Sequence, residues 1–240
     1  MLWYKAWMES RGRFFVCLAL MLLPGYSFLR SGNFRLEWEP DVPSLHFKHL
    51  FENHGIAVGI WMLSAILLGL GGLMRERAIG SSSFTLTLPV SRPRVVVVRA
   101  GVGVLEIAML AVVPWVVNLA ISLYRQTPFS ISQAGWCTVL LVAGGMVYFA
   151  QAILVSSIVE GEYTAAGISF GVVILSFVLA HNYEWLKKLN LFPLITGADS
   201  IDRQTFLFSG ALPWSTIFSS FTVAALMVLA SVVITERRDF

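Results

Sequence analysis

The sequence predicts an all-α polytopic membrane protein with six transmembrane helices, and three observations carry that expectation. First, 57% of its 240 residues are hydrophobic and only 13% are charged, 17 basic and 14 acidic, about half the roughly 25% charge of an average soluble domain. Second, mean hydropathy is +0.74, a composition that excludes both a water-facing globule and a solvated disordered chain. Third, six long apolar runs divide the chain, each near the roughly 20 residues that span a bilayer as a helix. Six spans with short connections use up the length and leave no sizeable extramembrane domain.

The runs are 14–29, 55–74, 95–117, 134–158, 164–181 and 213–234. Each is continuously apolar, where the strands of a membrane barrel alternate over shorter segments, so helices are expected throughout. The first run follows Lys5, Arg11 and Arg13 as the core of a signal peptide would, but no cleavage site of the A-x-A type comes after it, so a retained helix is expected. Ahead of it, residues 1–13 read as an interfacial helix. Trp3 and Trp7 stand one turn apart for headgroup depth, with Lys5, Glu9 and Arg11 on other faces. Such a helix either anchors the first span or also touches a cytoplasmic partner.

Basic residues near helix ends set orientation. With the N-terminus inside, ten fall in the cytoplasm, from Lys5 through the Arg75–Arg99 cluster to Arg237 and Arg238, and seven outside. The inner ones crowd helix ends; the outer ones are diluted in the two longest loops, 30–54 and 182–212. Both termini are therefore expected inside, with Glu160 and Glu162 in an inner turn that the rule leaves unexplained.

The segment 75–94 is too polar to span and too short to be a domain. It holds Phe84 and Leu88 at i and i+4, stopped by Pro89 and flanked by Arg75, Arg77, Arg92 and Arg94. Apolar side chains between arginines at a membrane surface suit a docking knob for another protein, and equally a plain amphipathic linker. Here the chain resembles a family. Glu76, Gly80, Ser81, Phe84, Leu86, Leu88, Pro89, Val90, Ser91 and Arg92 look like the E-x-x-x-G-[ST]…L-x-L-P-V-S-R signature that follows the second helix of ABC-2 type ABC transporter permeases. The ending Glu236-Arg237-Arg238-Asp239-Phe240 resembles their E-R-R-D-[FL], and Trp7 to Arg11 their interfacial entry. Serine at 81, where threonine is commoner, departs mildly.

The resemblance implies a single transmembrane domain over 1–240 in a bacterial inner membrane. It implies that 75–94 is a cytoplasmic coupling helix, with Arg75, Glu76, Gly80, Ser81, Phe84, Leu86, Leu88, Pro89 and Arg92 seated in a separate ATPase subunit. Two ATPase copies would carry ATP and Mg, this chain would hold no cofactor, and a second permease copy, a homodimer, would complete an export path for an amphipathic or hydrophobic substrate. It also implies that the apolar outer loop 182–212, with Trp185, Leu189, Phe192 and Leu194, forms re-entrant helices.

No phosphate-cradling G-x-x-x-x-G-K-[ST] loop occurs. Gly69, Gly71, Gly72, Gly101 and Gly103 sit in apolar runs, where small residues let helices approach closely. Glu106 reads as an acid well inside the third span, which costs at least about 2.5 kcal/mol on insertion scales and so faces protein or a cavity. With Asn118 and Gln151 it either joins helices or lines the path of a substrate. His46, His49 and His54 cluster outside, and His46 and His49 with Glu52 could share a helical face toward a metal, although Phe47, Leu50 and Phe51 suit an interfacial helix equally well.

Two further classes are weighed. An intramembrane enzyme of the CAAX-protease kind is suggested by Phe177-x-x-x-His181 below Glu160 and Glu162, but adjacent glutamates and a second intramembrane histidine are missing. An ATP-independent transporter or scaffold would need no ATPase partner. The two cysteines, Cys17 near the inner end of one span and Cys137 near the outer end of another, are not expected to pair. Reducing and non-reducing gels should show the same monomer band, and a reduction-sensitive shift would overturn that placement.

Overall fold

The computed structural model describes residues 2–30, 54–70, 91–126, 129–159, 161–183, 191–197 and 212–237. They form seven helices and no strand among the described residues: α1 (Leu2–Arg30), α2 (His54–Gly69), α3 (Arg92–Arg125), α4 (Ile131–Ile158), α5 (Glu162–Asn182), α6 (Phe192–Thr196) and α7 (Trp214–Arg237). Four of them are long and apolar enough to cross a membrane, over Pro93–Tyr124, Ile131–Ile158, Tyr163–Ala180 and Trp214–Arg237. With α2 apolar but shorter, the chain is an integral membrane protein of several spans.

Helix ends follow local chemistry. Ser91 precedes α3 and Pro93 stands in its first turn, where a missing N–H costs nothing; Gln126 closes it in a left-handed conformation at φ 55°. Ser130 caps α4 by accepting from the Gln133 N–H at 3.5 Å. Between α4 and α5 lie only residues 159–161, and Gly161 takes φ 94°, a backbone shape that side-chain-bearing residues rarely adopt. The third helix outruns its expected apolar stretch at both ends, running from Arg92 to Arg125 through Pro114, which removes one backbone bond without ending the helix.

One expectation is corrected at the N-terminus. Residues 2–13 do not form a separate interfacial element but are the first turns of the continuous α1. The reason is packing: Ala6 is buried against Val98 and Val102 of α3, and the Trp3 ring lies over Gly101. Trp7 packs on Phe14 in a tilted pair, ring centroids 5.4 Å apart. Contacts advance together along both helices, from Trp3–Gly101 to Ser10–Glu106, so α1 and α3 run parallel. Against α2 the order reverses, with Arg13 at Leu70 and Cys17 at Ser64. Chain direction thus alternates from α1 to α3, as successive membrane crossings require.

Helix α4 is the hub, touching α2, α3, α5, α6 and α7. Its buried stripe is rich in Ala, Gly and Ser, and larger neighbours fill the room. Trp61 of α2, 1% exposed, lies on Gly145 and donates its indole N–H to the Leu141 carbonyl at 3.1 Å. Ile195 of α6 sits on Gly144, and the Phe149 ring covers Gly103 of α3 while its carbonyl meets Gly69 of α2. Gly69, Gly101 and Gly103 are therefore close-approach positions, as their apolar surroundings suggest; Gly71 and Gly72 lie outside the described residues.

The outer faces are oily. Ile174, Leu175, Phe177 and Val178 of α5 and Phe218, Leu226, Leu229 and Val233 of α7 are exposed, a distribution suited to lipid or a second subunit. Both cysteines are buried and unbridged. Cys137 borders a cavity together with Met21, one turn from Cys17, so the two thiols differ less in depth than expected. The Cys17 thiol instead faces the Ser64 carbonyl at 3.9 Å.

These contacts separate two kinds of glycine. A Cβ on Gly145 would lie 2.8 Å from the Trp61 ring, whereas one on Gly135 would meet nothing within 4 Å. Gly145→Ala should therefore destabilise by about 1–3 kcal/mol through overpacking, while Gly135→Ala should be neutral or gain up to about 1 kcal/mol of helix propensity. Thermal unfolding of both variants in detergent checks this; equal midpoints would refute the packing.

Candidate functional site: a polar cluster at the root of the 71–90 segment

At one end of the bundle the first turns of α1 meet the start of α3 and the end of α2. The side chains of α1 recur every three to four residues toward these neighbours, so Glu9, Ser10 and Arg13 face inward where an isolated helix would show a charged stripe to water. Glu9 lies between two cations, 3.5 Å from Lys5 on its own helix and 3.5 Å from Arg99 on α3. All three are partly exposed, so the pairs contribute at most about 1 kcal/mol each.

Deeper in the interface the Ser10 hydroxyl donates to Oε1 of Glu106. Glu106 is 1% exposed, and its Oε2 has no hydrogen-bond partner among the described residues. One turn on, Arg13 donates from Nη1 to the Leu70 carbonyl at the end of α2. A cation there satisfies a carbonyl that the helix leaves unbonded and complements the negative end of its dipole. Leu70 and Ser91 flank residues 71–90, so α1 holds one root of that segment directly, at Leu70, and reaches α3 about two turns beyond the other, at Arg99.

Glu106 faces protein, level with Ser10, one turn before the apolar run of α1 begins at Phe14, and it lies within the apolar span Pro93–Tyr124 of α3. Asn118 and Gln151 do not join it. The Asn118 amide donates to the Pro114 carbonyl of its own helix at 2.8 Å, and Gln151 donates to the Ser169 carbonyl at 3.1 Å, linking α4 to α5.

Residues 22–195 match the family described as ABC-2 family transporter protein. The chain belongs to this family. No curated protein matches it. ABC-2 permeases are transmembrane subunits, generally not catalytic themselves, that work with ABC ATPase subunits.

For this ABC-2 chain, Arg75, Glu76, Gly80, Ser81, Phe84, Leu86, Leu88 and Pro89 lie outside the described residues, as do His46 and His49. Arg92 opens α3 and His54 opens α2, their backbones alone described. No group of three metal-binding side chains comes together among the described residues. Ser10 and Arg13 are what the sequence reading missed. The signal was available, since Glu9, Arg13 and Arg99 all lie beside apolar runs too long to leave them facing lipid, yet their partners depend on helix pairing.

Removing Ser10 strands a buried carboxylate, so Ser10→Ala should cost about 1–3 kcal/mol, whereas removing both partners should be nearly neutral. In denaturant unfolding, the Ser10→Ala/Glu106→Leu protein is accordingly expected to recover most of the single-variant loss. Strictly additive losses would show that the two groups are uncoupled.

Proposed function

We propose that this chain is the permease subunit of an ATP-driven exporter. Membership of the ABC-2 family carries the reading, and the ties at the root of residues 71–90 support it. In this reading six spans cross a bacterial inner membrane with both termini cytoplasmic. Two copies of the chain pair around a path, and each docks an ATPase subunit through Arg75, Glu76, Gly80, Ser81, Phe84, Leu86, Leu88, Pro89 and Arg92. ATP and Mg are held by the ATPase, this chain carries no cofactor, and the substrate is amphipathic or hydrophobic. The outer segment 182–212, of which α6 is part, caps the exit.

The mechanics follow from the cluster. A push on residues 71–90 reaches α2 at Leu70 and α3 at Ser91. Because Arg13 holds the first and Ser10 and Glu9 hold the second, α1, α2 and α3 move together. That motion is transferred to α4 through Trp61 on Gly145 and Phe149 on Gly103, repacking rather than bending a tightly filled core.

Purification of the intact complex tests the proposal. A stoichiometric ATPase subunit should accompany the chain, and Phe84→Ala or Leu88→Ala should each weaken that association tenfold or more, as buried anchors at an interface do. Recovery of the folded chain without an ATPase would favour an ATP-independent transporter or scaffold and overturn the reading.

A further inference from the structure

The carboxyl group of Glu106 is held at one oxygen. Oε1 accepts from Ser10, while Oε2, on a residue 1% exposed, has no hydrogen-bond partner among the described residues. A buried acceptor left unbonded costs its full desolvation, so this oxygen is an open station for a donor. Two cations lie within electrostatic reach, Arg99 and Arg13. Arg99 is 3.5 Å from Glu9 and stands on the same helix as Glu106, so a shift of its guanidinium between the two carboxylates would leave α2 untouched.

Arg13 differs. It stands three residues beyond Ser10 on the same face of α1, and so beside the carboxyl that Ser10 holds, yet its Nη1 donates to the Leu70 carbonyl at the end of α2. A carboxylate bonds a guanidinium more strongly than a carbonyl does, because both partners then carry charge. The weaker acceptor is the one engaged because packing seats the end of α2 beside α1: Leu70 is 2% exposed and its own N–H donates to the Ile66 carbonyl at 3.0 Å. We propose that Arg13 is a two-position latch, bonded to the Leu70 carbonyl while the end of α2 is seated and passing to Oε2 of Glu106 when that end is drawn away. With the latch on Leu70 the three helices move together. With it on Glu106, α1 keeps its hold on α3 while α2 comes free at the residue next to 71–90. The latch needs only contacts among α1, α2 and α3 and does not rest on ATPase docking.

Hydrogen exchange of the full chain in detergent, read by mass spectrometry on residues 66–70, tests it. In Glu106→Gln the oxygen still accepts from Ser10, but the second position becomes an N–H donor that a guanidinium cannot bond. With that station removed, exchange at 66–70 should slow at least threefold. Arg13→Gln, which removes the latch itself, should speed it at least threefold, and adding Glu106→Gln to Arg13→Gln should change nothing further. Exchange unchanged or faster in Glu106→Gln would overturn the proposal. So would a slowing that persists in the Arg13→Gln background, the mark of a general gain in stability from removing a buried charge. Where Arg13→Gln fails to fold, Glu106→Gln alone decides: slowing confined to 66–70 supports the latch, and equal slowing across α7 overturns it.

Discussion

The fold rests on how closely backbones approach one another at α4. Helices in hydrocarbon gain little from the hydrophobic effect between themselves, so association depends on contact and on satisfied polar groups. Gly144 and Gly145 supply the contact by leaving two adjacent hollows, filled by Ile195 and by the Trp61 ring. The Phe149 ring repeats the arrangement in reverse, projecting from α4 onto Gly103. Knobs and hollows thus alternate between partners, which fixes rotation and depth together: a helix that slid by one residue would set its ring against a side chain instead of a gap.

The polar end follows a different logic. Three elements that need not move together are joined there by α1, through a carboxylate shared between helices, a hydroxyl on a buried acid and a guanidinium on a helix end. None of these is strong alone. Their arrangement matters because α1 bonds to the end of α2 and to α3 within one turn of its own length, which joins the two helices on either side of residues 71–90.

Element type was legible in the sequence, because continuous apolarity at membrane length admits little besides helix. Five of the six runs fall on described helices within a few residues, and the glycines at 69, 101 and 103 could be read as packing positions from their surroundings alone. Depth and partnership were less accessible. Glu106 is seven residues from Arg99 and nearly on its face, which suggested proximity, and the two are within electrostatic reach, but the ion pair of Arg99 crosses to Glu9 and the hydrogen bond of Glu106 to Ser10. Side-chain spacing along one helix says which residues share a face, and only the neighbouring helix says what they meet. The entry segment misled for a related reason: tryptophans one turn apart suit a headgroup layer and equally suit a glycine-bearing neighbour, and Gly101 is distant in sequence.

Helix α3 carries a further consequence. Its 34 residues measure about 51 Å at 1.5 Å per residue, against roughly 30 Å of hydrocarbon. The excess of about 20 Å must be accommodated by inclination or by protrusion past the acyl region. Because α1 runs parallel to it from Gly101 to Glu106, a bilayer of different thickness would have to tilt or shift the two helices as a pair rather than one alone.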